Sequence, residues 1–173
     1  MKESHLWAPW RMQYIRQLSP DEKNESSTGS FLADYWADPD GDHEHLVLHR
    51  SEMSLILLNR YPYTNGHLLV APGEPVPDLP QLSPEQRCDL MEMTTLAERL
   101  VQAAFNPQGV NIGINIGRCA GAGLPGHLHV HVVPRWSGDV NFMSVVGEVR
   151  VVPQALEEVR DELLAVLPRV LSK

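Results

Sequence analysis

The sequence predicts an α+β domain built on a mainly antiparallel sheet of about five strands, with one long helix and a C-terminal helix. Three observations carry this reading. Short β-patterned runs lie before and after the middle of the chain, a long 3.6-periodic segment separates them, and a second such segment lies near the C-terminus. Length and composition agree. A chain of 173 residues suits one domain with a real core. Its 43% hydrophobic and 21% charged residues place it among folded rather than disordered proteins.

Residues 1–28 read as an aromatic arm and a polar loop, and residues 29–173 as the folded domain. The arm carries Trp7, Trp10, Met12, Tyr14 and Ile15, too aromatic for a free tail; it packs on its own domain or on a second subunit. Residues 45–49 and 53–58 read as strands around the short turn Arg50-Ser51-Glu52. Asn59 to Gly66 is a loop punctuated by Pro62 and Gly66, and His67 to Ala71 is a third strand. The four prolines between Pro72 and Pro80 exclude regular structure there. Ser83, Pro84 and Gln86 form an N-cap, a first-turn proline and a capping box. Leu90, Met93, Ala97, Leu100 and Ala104 follow at helical spacing, and the helix should end near Phe105, before Asn106-Pro107. Val110 to Ile116 alternates as a strand, with Val110, Ile112, Ile114 and Ile116 on one face. After a glycine-rich loop, His127 to Val133 is the last strand, stopped by Pro134. Leu156, Val159, Leu163 and Val166 mark a helix over 153–167.

Charge and cysteine usage exclude several classes. A net charge of −8 repels a phosphate backbone, so no nucleic-acid partner is expected. A small nucleotide is still allowed, because one local site can be electropositive. Cys88 and Cys119 form neither a zinc knuckle nor a disulfide framework. The first residues lack the apolar core of a signal peptide, and no run of about 18 apolar residues could span a membrane. The expected location is cytoplasmic, with no membrane partner.

The chemistry lies in His127-Leu128-His129-Val130-His131-Val132-Val133. Alternate residues of a strand share a face, so the three histidines line one side and the apolar residues the other. One reading is a metal site, since neutral imidazole binds zinc, copper, iron and nickel. The other is phosphate chemistry. The preceding loop, Gly117 to Gly126, holds four glycines, and its backbone N–H groups can converge on an anion. A histidine nitrogen could then attack phosphorus and split one displacement into two easier steps. The loop makes the second reading the stronger one.

These residues resemble the histidine-triad (HIT) superfamily, whose His-φ-His-φ-His-φφ motif residues 127–133 match in full. Residues 6–12, 58–67 and 134–143 resemble its bacterial branch related to diadenosine tetraphosphate (Ap4A) phosphorylases. The resemblance implies a HIT-like fold and cleavage of a dinucleoside polyphosphate or related adenine nucleotide by a hydrolase, phosphorylase or nucleotidyltransferase. It implies that His129 is the nucleophile and forms a nucleotidyl-histidine. His131 would assist the leaving group, for which a reference pKa near 6.5 is suited, and His127 would orient His129. Asn59 would hold the ribose, Phe31, Leu32 and Leu57 would line the base pocket, and Asn115, Gly123 and Leu124 would border the phosphates. A histidine rather than glutamine at 131 points away from hexose-phosphate uridylyl transfer. Family members pair into homodimers with a continuous sheet. Alternatives are a nucleoside phosphoramidate hydrolase and a nucleotide-binding module with little turnover.

The departures matter as well. Zinc-bearing relatives carry two cysteines, a histidine after the third strand and a triad-region histidine as ligands. This chain has Ser30, Ala33 and Pro75 at the first three places, so no structural zinc and no required cofactor are expected. Gly123 and Leu124 replace the Gln and Ser that several relatives place before the triad, removing side-chain donors to phosphate.

Overall fold

The computed structural model describes residues 29–139 and 154–172. The expectation for the aromatic arm falls outside them. The predicted α+β architecture is present. Helix α1 spans Phe31–Ala37; strands β1 (Val47–Arg50), β2 (Ser54–Leu58) and β3 (Leu68–Pro72) form a meander. Helix α2 (Pro84–Phe105) crosses to β4 (Gly109–Ile114), then come β5 (Val130–Arg135) and α3 (Leu156–Leu171). The five strands lie in the order β1-β2-β3-β5-β4, and neighbours are antiparallel throughout.

Helix α2 starts as its sequence predicts: Ser83 accepts from the Gln86 N–H while the Gln86 side chain accepts from the Ser83 N–H. It ends at Asn106 in the left-handed conformation, which asparagine tolerates better than most residues. Helices α2 and α3 cover one face of the sheet. Ile56, Leu58, Leu68, Val70, Leu128, Val130 and Val132 meet Leu90, Met93, Ala97, Leu100, Val159 and Leu163 there. On the other face Leu32, Val47, Leu55, Leu57, Leu69 and Ala71 form a smaller cluster, capped by Phe31, Tyr35, Trp36 and Leu124. Both faces of β2 and β3 are therefore dry, and the histidine face lies beside the smaller cluster. No helix among the described residues is long and apolar enough to cross a membrane.

The differences from the sequence reading have local causes. The last strand begins at Val130 rather than His127, because the β3–β5 ladder ends at the Val70–Val130 pair. Before it the chain is held differently: the Leu128 N–H donates to the Val76 carbonyl at 2.7 Å. Pro134 does not stop the strand. It pairs with Val110 beyond the reach of β3, so its missing N–H leaves no ladder bond unmade, and its carbonyl accepts from the Thr64 hydroxyl at 2.8 Å. Strand β4 ends at Ile114 rather than Ile116; Val110 and Ile114 pack on the core, but Ile112 and Ile116 are exposed. Helix α3 continues through Pro168 to Leu171 instead of ending at 167. Helix α1 is too short for its periodicity to stand out from a loop.

Candidate active site

His127, His129 and His131 alternate with Leu128, Val130 and Val132, which pack in the core under α2, and the hydrogen-bond partners of the rings assign the hydrogen on each. A carbonyl oxygen can only accept, and a backbone N–H can only donate. His129 Nδ1 lies 2.9 Å from the His127 carbonyl, so Nδ1 carries the hydrogen and Nε2 keeps its lone pair. His127 Nε2 lies 2.7 Å from the Pro72 carbonyl and must donate; its Nδ1 then accepts the Ser30 hydroxyl at 2.6 Å.

His131 is set by a residue the sequence reading did not single out. His67 is fully buried. Its Nδ1 accepts from the Tyr63 N–H at 3.1 Å and faces the Asn59 amide nitrogen at 3.2 Å. Its Nε2 therefore donates to His131 Nδ1 at 3.0 Å, which leaves His131 with its hydrogen on Nε2. Tyr63 stacks on His131 and lies tilted against His67, and the rings of His129 and His131 meet edge to face at 5.0 Å between centroids. The site thus holds one bare nitrogen on His129 beside an N–H donor on His131, the pair an in-line phosphoryl displacement requires.

Burial keeps these rings neutral. It lowers the pKa of His127 and His129, against the partial opposition of their carbonyl partners. His131 is pushed down to about 4, first by burial and then by the neighbouring His129. This corrects the expectation of an ordinary imidazole pKa there. In the free protein at neutral pH, His131 is a neutral hydrogen-bond donor. A bound polyphosphate would raise its proton affinity, because an adjacent anion favours the imidazolium.

The pocket residues fall into two groups. Phe31, Leu32 and Leu57 come together in the smaller apolar cluster, with Leu124 packed against it. Helix α1 is secured there at its C-terminal end, where Arg50 donates to the Tyr35 and Trp36 carbonyls at 2.7 and 3.0 Å. Trp36 lies so close over Gly73 that a side chain there would collide with the indole. Around the histidines, the Asn59 side-chain Oδ1 accepts from the Tyr61 N–H at 2.9 Å, making a tight turn beside His67. Asn115 follows Ile114, whose partner is Val130, and so lies one step nearer His129. Gly123 is exposed in the loop, while the Leu124 carbonyl accepts from the His127 N–H at 3.2 Å.

Ser30 and Ala33, at the places of two absent cysteines, sit at the N-cap and in the first turn of α1. The donor set there does not fit zinc. Both ring nitrogens of His127 are taken by Ser30 and Pro72. Among the described residues no three His, Cys, Asp or Glu side chains are grouped to hold a metal.

Similarity to known proteins agrees with this geometry. A Mycobacterium tuberculosis protein named AP-4-A phosphorylase is 40% identical over 156 residues, which span 90% of this chain and 80% of that protein. A Schizosaccharomyces pombe protein named asymmetrical bis(5'-nucleosyl)-tetraphosphatase is 36% identical over 100 residues, 58% of this chain and 54% of its own length. A zinc-bound histidine triad family protein from Mycobacterium smegmatis has a crystal structure that superimposes with a TM-score of 0.64 at 30% identity, covering 80% of this chain and 95% of that one. A family model of the HIT domain matches residues 41–138, from the turn before β1 to the end of the triad strand. With its three alternate histidines leading into the β5 strand and its sequence matched on both sides of them, this chain belongs to the HIT domain family.

Proposed function

We propose that this protein cleaves a dinucleoside polyphosphate of the Ap4A type through a nucleotidyl-histidine at His129, with inorganic phosphate as the acceptor. The observation that carries this reading is the bare Nε2 of His129, enforced by the bond from its Nδ1 to the His127 carbonyl. The name of the Mycobacterium tuberculosis relative, similar over 90% of this chain, supports both substrate and acceptor. In the first step Nε2 attacks the α-phosphorus, an N–P bond forms, and the P–O bond to the departing nucleoside triphosphate breaks. The His131 N–H stabilises the departing oxygen, while the His127 carbonyl faces the positive charge that develops on the His129 ring. In the second step a phosphate oxygen attacks the same phosphorus, the N–P bond breaks, and a nucleoside diphosphate leaves. Phe31, Leu32 and Leu57 seat the base, Asn59 the ribose, and Asn115 with the loop amides at Gly123 and Leu124 the phosphates. No step is routed through a resident zinc.

Product chromatography tests the reading. Ap4A incubated with phosphate should give ATP and ADP in equal amounts, from protein carrying no stoichiometric zinc. ATP and AMP in the presence of phosphate would replace phosphate with water as the acceptor. Tight AMP binding without turnover would overturn the enzymatic reading.

The proposal includes a homodimer joined through β4. Among the described residues no strand pairs with its outer flank, and Ile112 and Ile116 stand exposed beside it. Ile112→Lys should convert the dimer to a monomer in sedimentation; an unchanged sedimentation coefficient would place the contact elsewhere.

A further inference from the structure

We infer that Ser30 is a positioning residue for the nucleophile, its hydroxyl anchoring the ring of His127 where zinc-bearing relatives would use a metal. The inference rests on the proposed role of His129, but its structural part stands on contacts alone. Ser30 and His127 are 97 residues apart in sequence, yet their side chains meet at 2.6 Å with both residues buried. The bond runs in one direction, because Pro72 claims the Nε2 hydrogen and leaves Nδ1 to accept. An imidazole held at both nitrogens can neither flip nor change tautomer. Its backbone carbonyl, which receives the His129 Nδ1 hydrogen, is then held in place. The order of control is Ser30, then the His127 ring, then the His127 carbonyl, then the free lone pair on His129.

Ser30 has a second duty that the test must separate. Its oxygen also caps α1, accepting from the Ala33 N–H at 3.3 Å. Helix α1 has other fastenings, however: Arg50 holds its C-terminal carbonyls, Leu32 is fully buried, and Trp36 sits on Gly73. Glycine is tolerated at an N-cap nearly as well as serine. Ser30→Gly therefore removes the hydroxyl from His127 while leaving the helix seated.

The experiment pairs kinetics with the ring-nitrogen resonances of His127. In Ser30→Gly, kcat for Ap4A should fall about ten- to a hundredfold, the range found when a partner orienting a functional histidine is lost. KM should stay within about threefold, since the base pocket does not use the hydroxyl. The His127 Nδ1 resonance should move as its accepted hydrogen bond is lost, while Nε2 keeps its hydrogen on the Pro72 carbonyl. Ser30→Thr, which keeps the hydroxyl, should recover kcat and the original Nδ1 resonance. An unchanged kcat in Ser30→Gly, a loss confined to KM, or an unmoved His127 Nδ1 resonance would overturn the inference. If the unaltered protein does not turn over Ap4A, the functional proposal fails by itself, and the nitrogen resonances still decide the role of Ser30.

Discussion

Replacing His129 with asparagine should abolish turnover while leaving the fold and nucleotide binding intact. The asparagine amide N–H can take over the bond that His129 Nδ1 makes to the His127 carbonyl, so the backbone of the triad is not disturbed. What disappears is the lone pair on Nε2. Removing the nucleophile of a covalent mechanism typically costs several powers of ten in kcat, so a fall of at least about a thousandfold is expected. Binding of AMP should change far less, because the apolar cluster of Phe31, Leu32 and Leu57 proposed to seat the base does not include the substituted side chain. The intermediate supplies a second measurement. Acid-sensitive labelling of the unaltered protein by substrate carrying a radioactive α-phosphate should vanish in His129→Asn. Turnover within tenfold of normal in the variant would remove His129 from the nucleophile's place.

The site was legible in the sequence to the extent that its parts are local. Three histidines two residues apart declare a common face on any strand; the structure carries the strand only from Val130, and the rings of His129 and His131 still meet edge to face. The capping box at Ser83 and Gln86 needs three residues of context and was readable for the same reason. His67 was not singled out, because its partnership with His131 exists only where β5 inserts beside β3. No periodicity in either segment announces that pairing. Ser30 was read as the absence of a zinc ligand; what it does instead depends on a contact across 97 residues of sequence. Pro134 misled because a proline normally ends a strand; here β3 has already stopped, and the missing N–H costs nothing. The smaller apolar cluster fell between these cases. Leu57 was readable as part of a strand, but Phe31 and Leu32 lie on a seven-residue helix with too few turns to show a pattern.

The neutral triad should make the free protein acid-labile at a pH where most folded domains are stable. The sign follows from proton linkage. Burial lowers the pKa of His127, His129 and His131 in the folded state, while the unfolded chain titrates near 6.5. Above that value both states are neutral and the histidines do not affect stability. Below it the unfolded chain binds protons that the folded site refuses, so stability falls with pH, and for His131 it goes on falling to about 4. Discounted for the partial exposure of the ring, this amounts to about 1 kcal/mol for His131 at pH 5, or roughly 2–4 °C in Tm for a chain of this size. Thermal melts at pH 7.5 and pH 5 of the unaltered protein and of His131→Gln isolate the contribution, because carboxylates elsewhere titrate equally in both. The variant should lose less Tm on acidification; an equal loss would mean that His131 is not held neutral. AMP should blunt the acid loss in the unaltered protein, since its phosphate favours the protonated ring. The same effect bears on catalysis. On the proposed mechanism, the site that keeps His129 unprotonated for attack is one in which His131 would gain proton affinity when polyphosphate binds, so acid assistance would be coupled to substrate binding.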